Sequence, residues 1–213
     1  MKVTLIYDNT AYNKDLMPDH GFSCCVEIEN GAQILFDTGT HGTILLDNMQ
    51  RLGIDPVGID IVVLSHAHRD HTGGLRDLLQ VNRTASVYFP ASFQPSITNR
   101  NVVEVKNDVE ITGGVFSTGE LMGVEQSLVV KTEAGLIAIT GCSHPGVGRI
   151  LEAASSRGRL SGLIGGLHGF REFDLLEDLD FVCPCHCTQY KSEIQKRYTA
   201  KYLDGGAGKV IEF

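Results

Sequence analysis

The stretch Ser65-His66-Ala67-His68-Arg69-Asp70-His71 constrains this chain more than any other, because four of its seven side chains can bind a metal ion. Ahead of it, Ile59-Asp60-Ile61-Val62-Val63-Leu64 is a nearly unbroken β-branched, apolar run of strand length, which reads as a strand buried on both faces. Behind it, Leu75-Arg76-Asp77-Leu78-Leu79 has the apolar spacing of a helix's inner stripe. The ligands therefore occupy the turn between a strand's carboxyl end and a helix start, where open α/β sheets place their sites. Residues two apart in an extended or turning chain point the same way, so His66 and His68 offer imidazoles to one ion. Asp70 and His71 fall as the chain bends into the helix and face a second point.

His66-x-His68-x-Asp70-His71 after an apolar strand, with Leu35-Phe36-Asp37-Thr38-Gly39 upstream, resembles the metallo-β-lactamase superfamily. Glu125-Gln126-Ser127-Leu128, Thr140-Gly141-Cys142-Ser143-His144-Pro145-Gly146, Gly165-Gly166-Leu167-His168 and Pro184-Cys185-His186-Cys187-Thr188 extend the likeness over almost the whole chain. These later motifs are similar to one branch, which includes archaeal-type dihydropterin synthases of methanopterin biosynthesis. The resemblance implies one α/β domain over residues 1–213: an αββα sandwich of two mixed β-sheets packed face to face, helices outside, and a metal site at the sheet edge. It also implies that Asp37 supports the metal loop from behind.

Three more histidines, His144, His168 and His186, sit just past expected strands and are ligand candidates, with hydrogen bonding behind the ligands as the alternative for each. The working assignment gives one divalent ion to His66, His68 and His144 and the other to Asp70, His71 and His186, with Asp70 also orienting the nucleophile. Superfamily members commonly carry a histidine after the middle hairpin and then a bridging aspartate in a Gly-Asp pair. Here those positions read Thr118-Gly119-Glu120 and Gly141-Cys142, so Cys142 or His144 is expected to replace the bridge. Asp37, Cys142 and His168 are candidates for support or alternate ligation, and His20 and Glu125 for substrate contact. Nitrogen-rich donors favour two zinc ions, with iron or manganese open because a carboxylate is present.

The chemistry implied is a metal-activated water acting on a small anionic ester, lactone or phosphoester. A transferase resembling the dihydropterin synthases, forming a C–N bond with release of diphosphate, is the alternative, and a non-catalytic metal-bound sensor is a third reading. A formal net charge of -8 argues against a nucleic-acid partner, which wants a basic face. No run approaches the roughly 18 apolar residues of a membrane span, and residues 1–7 read as a first strand, so a cytoplasmic protein is expected. Oligomeric state is not legible. The six cysteines read as reduced thiols. Cys24 and Cys25 should point to opposite faces, and Cys183, Cys185 and Cys187 should share one, but a thiolate zinc site there lacks the needed C-x-x-C pairs.

Strands are expected at residues 3–7, 23–29 and 33–36, the last two joined by an Asn30-Gly31 turn, then at 59–64, 85–89, 102–105, 109–111, 115–117, 128–131, 136–140, 160–164, 181–185 and 210–213. Helices are expected at 44–52 with Gly53 as stop, from 75, from 146, at 173–179, and as an exposed basic helix at 190–202. The glycines at 146 and 148 offer either an anion-accepting helix start or packing clearance. Loops 8–22 and 91–101 should shape the pocket, the second as a mobile cover. Residues 32–39 and 135–142 echo each other as strands running into a glycine-containing polar turn, as two similar halves would.

Overall fold

The computed structural model describes every residue except Asn30 and Asn99. The first half of the chain forms strands β1 (Lys2–Tyr7), β2 (Ser23–Glu27), β3 (Gln33–Phe36), β4 (Ile61–Val63), β5 (Ser86–Pro90) and β6 (Val102–Val105), with helices α1 (Gly42–Arg51), α2 (Arg69–Thr72) and α3 (Leu75–Val81). The second half forms β7 (Val109–Thr112), β8 (Val115–Ser117), β9 (Leu128–Thr132), β10 (Gly135–Thr140), β11 (Leu160–Gly166), β12 (Phe181–Cys185) and β13 (Val210–Glu212), with α4 (Val147–Ser155) and α5 (Lys191–Arg197). The strands make two mixed sheets, in the orders β13-β1-β2-β3-β4-β5-β6 and β12-β11-β10-β9-β8-β7. The expected αββα sandwich is the architecture observed.

Alternation along the strands divides three apolar layers. Leu5, Cys24, Ile34 and Phe36 face Val130, Ile137, Ile139 and Ile164 between the sheets. Their neighbours Ile6, Cys25, Leu35 and Val62 turn outward to meet Leu45 and Met49 of α1 and Leu78 of α3. On the far side Val129, Ala138, Leu163 and Val182 are covered by Val147 and Leu151 of α4 and Ile194 of α5. Cys24 and Cys25 do point to opposite faces.

The echo between residues 32–39 and 135–142 has a structural counterpart. β2–β3 and β9–β10 are antiparallel pairs, and in each the second strand continues into a parallel neighbour, β4 or β11. A polar turn and a helix follow each second strand, so the two halves aim equivalent turns at one sandwich edge.

Several expectations need correction. The helix expected over 190–202 stops at Arg197, because residues 201–203 run beside β12 instead: Val182 N–H donates to Lys201 O at 2.8 Å and Leu203 N–H to Val182 O at 2.8 Å. Nor is that helix merely a solvated face, since Ile194 is fully buried. The helix expected over 173–179 is a short 3-10 turn, Phe173–Leu176. Cys187 leaves the face of Cys183 and Cys185, because β12 ends at Cys185 and His186 turns the chain at φ 42°. In the turn between β2 and β3, Gly31 has φ 87° and Asn30 lies outside the described residues.

Loop 91–98 lies along α3 rather than over the histidines: a cleft of about 710 Å³ between them is lined by Thr72, Arg76, Phe93 and Arg100 and by none of the expected ligands. Asn99, part of that expected loop, lies outside the described residues. At the start of α4, Gly146 adopts φ 97° and a side chain on Gly148 would crowd Leu175 at 3.2 Å, which fits packing clearance.

Candidate metal centre

Strand ends carry the site. Asp37 follows β3, Ser65 and His66 follow β4, Cys142 and His144 follow β10, His168 follows β11 and His186 follows β12. Asp70 and His71 lie in the single turn of α2, with His68 as its N-cap residue. Four non-glycine residues at this edge, Asp37, Ser143, His168 and His186, have positive φ between 42° and 61°. Such backbone costs on the order of 1–3 kcal/mol each and persists only where the surroundings enforce it.

Among the described residues two groups of donor atoms each lie within 4.8 Å of one another: Asp70, His71, Cys142 and His186 form one, and His66, Cys142 and His144 the other. Cys142 belongs to both. His68 stands beside the second group through Nδ1, which is 3.1 Å from His66 Nε2. His168 lies outside both groups, its ring centroid 5.4 Å from that of His144. His20 reaches Asp70 Oδ2 with Nε2 at 3.2 Å and is largely exposed.

The hydrogen bonds behind the rings fix which nitrogen faces the centre. Asp37 Oδ2 accepts from His71 Nδ1 at 2.7 Å and from Ser65 Oγ at 2.7 Å. Having donated its own proton, Ser65 Oγ accepts from His66 Nδ1 at 2.8 Å. Asn9 Oδ1 accepts from His186 Nδ1 at 2.8 Å, its amide nitrogen donating to the His186 carbonyl at 3.3 Å. With every Nδ1 a donor, the Nε2 atoms of His66, His71 and His186 present lone pairs inward. His186 Nε2 then faces Asp70 Oδ2 at 3.1 Å, and His71 Nε2 faces Cys142 Sγ at 3.2 Å. His144 Nε2 is buried without a hydrogen-bond partner. A buried imidazole nitrogen left without a hydrogen-bond partner, amid converging nitrogen, oxygen and sulfur donors, is what a cation satisfies, so these residues fit a metal.

Burial sets the protonation states. It pushes His66 down to about 2 and His71 to about 3, the neighbouring imidazoles adding to the effect, so both rings are neutral and ligand-competent at neutral pH. His144 is lowered too, again first by burial. Asp70 is held well below the usual carboxylate range, first by the His186 ring beside it. Burial raises Asp37 to about 7, against the pull of His66 and the Ser65 hydrogen bonds. Cys142 is pushed up, first by the neighbouring Cys187 thiol and then by burial.

Glu125 was expected to face a substrate, and its position corrects that. It is 1% exposed. Oε1 accepts from Thr140 Oγ1 and from the backbone N–H groups of Gly141, Cys142 and Ser143 at 2.9–3.1 Å. Oε2 accepts from His144 N–H at 2.9 Å. Glu125 thus shapes the loop that presents Cys142 and His144. Asp8 and Asn9, read from sequence only as loop, hold His186: Asp8 Oδ1 accepts from the His186 N–H at 2.5 Å. Their signal was position, directly past the end of β1, like Asp37 past β3.

The sequence model of the metallo-beta-lactamase superfamily matches residues 18–142. A 7,8-dihydropterin-6-methyl-4-(beta-D-ribofuranosyl)-aminobenzene-5'-phosphate synthase from Methanocaldococcus jannaschii is 28% identical over 99% of this chain and 95% of its own length. A crystal structure of a metal-dependent hydrolase of the beta-lactamase superfamily superposes with a TM-score of 0.82 at 27% identity, covering 100% of this chain and 99% of that one. Zinc-bound PqqB from Methylobacterium extorquens shares the fold, with a TM-score of 0.67 at 12% identity over the whole of both chains.

Proposed function

The chain belongs to the metallo-beta-lactamase superfamily, and from that premise we propose that it is a metal-dependent hydrolase of a small anionic ester, lactone or phosphoester. The observation that carries this reading is the convergence of nitrogen, oxygen and sulfur donors on two groups that share Cys142, with His144 Nε2 buried and unpartnered. Two divalent ions, zinc by preference for nitrogen and sulfur donors, would be held by His66, His144 and Cys142, with His68 beside them, and by Asp70, His71, His186 and Cys142. When bound, the ions polarise a substrate oxygen and make water acidic enough to yield hydroxide at neutral pH. Cys142, common to both groups, would stand where relatives carry an aspartate.

The remaining roles belong to the chain. Asp37 and Asn9 hold the Nδ1 protons of His71 and His186, and Ser65 holds that of His66, so these rings cannot turn away. Asp70 Oδ2, between His186 and His20, orients the attacking water. His20, exposed at the rim, meets the substrate. Among the described residues no helix is long and apolar enough to cross a membrane, and six free cysteines suit a reducing, cytoplasmic setting.

Elemental analysis of protein purified without added metal tests the centre: close to two ions per chain supports it, and none removes it. A second reading, a transferase that forms a C–N bond and releases diphosphate, draws on the full-length likeness to the Methanocaldococcus synthase. A panel of esters, lactones and phosphodiesters in water, run beside a pterin diphosphate with an aryl amine, separates the two. Turnover only with the amine present would overturn the hydrolase.

A further inference from the structure

Cys142 and Cys187 come from strands that are not neighbours, since β11 lies between β10 and β12. Adjacent strands are about 4.8 Å apart, so residues two strands apart stand about 10 Å apart. Cys187 nevertheless comes up against the Cys142 backbone across Gly166 of β11. A Cβ on Gly166 would lie 2.7 Å from Cys187 Sγ and 3.4 Å from Cys142 Cα. The turn at His186, closed by Thr188 N–H donating to Cys185 O at 3.0 Å, swings Cys187 over this gap instead of into the core. Its sulfur lies 3.9 Å from the Cys142 carbonyl oxygen.

Cys187 is in neither ligand group, so the metal reading leaves it without a role. It is also the one cysteine that is only partly buried, whereas Cys24, Cys25, Cys183 and Cys185 are 0% exposed and Cys142 is 4% exposed. A small oxidant thus meets Cys187 first and finds Cys142 directly behind it.

We propose that Cys142 and Cys187 form a redox pair, joined in a disulfide by a peroxide, which withdraws the shared sulfur from both ligand groups. The Cys187 thiol reacts with hydrogen peroxide to give a sulfenic acid and one water. The Cys142 thiol then attacks that sulfur, forming the S–S bond and expelling the second water, so the peroxide takes two electrons and both thiol protons leave as water. Disulfide formation needs only the two thiols; the loss of ions rests on the metal reading above.

The test treats metal-free and metal-loaded protein with hydrogen peroxide, followed by alkylation, digestion and mass spectrometry, with a chromogenic chelator reporting released ions. The expected result is a Cys142–Cys187 cross-linked peptide, two hydrogens lighter than its parts and reversed by dithiothreitol, with ion release in step with it. Under the same peroxide Cys187→Ser keeps its ions. Absence of the cross-link in the metal-free chain, or equal ion release from Cys187→Ser, overturns the proposal. Reduced protein that holds no ions removes the metal reading instead, while the cross-link still decides whether the pair exists.

Discussion

Replacing Glu125 by glutamine separates a structural carboxylate from a substrate contact. The side chain keeps its size, and its amide oxygen can retain the four bonds made at Oε1, three of them from backbone N–H groups. The amide NH2 must then face the His144 N–H, which now points at Oε2 from 2.9 Å. A donor is set against a donor inside a closed loop. An unmade buried bond costs about 1–3 kcal/mol, and the remaining four lose the strength a charged acceptor lends, so Glu125→Gln should destabilise the fold by about 3 kcal/mol. That is a large part of the roughly 5–15 kcal/mol that holds a domain together, and for this length it lowers the melting temperature by about 6–12 °C. Urea unfolding of the metal-free protein measures it directly, and a metal titration should show weaker binding, because the same loop carries Cys142 and His144. A shift below about 0.5 kcal/mol, the range of ordinary surface substitutions, would refute the reasoning. A midpoint left in place with a raised KM would restore Glu125 to the substrate.

Three further outcomes are expected. Asp70→Asn should abolish turnover while circular dichroism and the urea midpoint of the metal-free protein stay near wild type, since Asp70 is partly exposed and outside the core; undiminished activity would dismiss its role. The metal-free protein should lose at least about 1.4 kcal/mol per pH unit as pH falls well below 6.5, because folded His66, lowered to about 2, refuses a proton that the unfolded chain accepts, and His144, lowered too, adds to the slope. The Asp37–His71 pair holds one proton in both states between about pH 4 and 6.5 and adds no slope, so urea midpoints that are flat or rise on acidification contradict this assignment. Gly165→Ala would place a Cβ 1.9 Å from Thr140 O at φ 125°, a backbone clash that β10 and β11 can relieve only by parting; soluble protein with an unshifted melting temperature would contradict it.

What the sequence revealed was local. His66, His68, Asp70 and His71 are close along the chain, and the strand-turn-helix context that aims them was readable from periodicity alone. The alternation of Cys24 and Cys25 was readable for the same reason. What escaped was whatever depends on partners distant in sequence. Asp8 and Asn9 looked like loop because the residue they hold, His186, is 178 and 177 positions away. Glu125 carried a family likeness but no sign of direction, since only the closed loop at 141–144 reveals five donors aimed at it. Cys187 followed a period-two pattern until the turn at His186 broke it. The helix expected over 190–202 yielded to strand-like pairing beside β12, where tertiary contact outweighs local preference.

The grip of Asp8 and Asn9 on His186 sets a timetable for the molecule's birth. During synthesis the amino end leaves the ribosome early, and the His66–His71 loop follows with most of its donors in place. The final donor emerges more than a hundred residues later, and its clamp has been waiting since the first strand. A nascent chain can therefore offer only a partial, loosely aimed set of donors, and the complete cage closes as the sheets dock. On the metal reading, loading is an event of the finished polypeptide, and a ribosome that stalls before residue 186 releases a fragment that lacks the His186 donor.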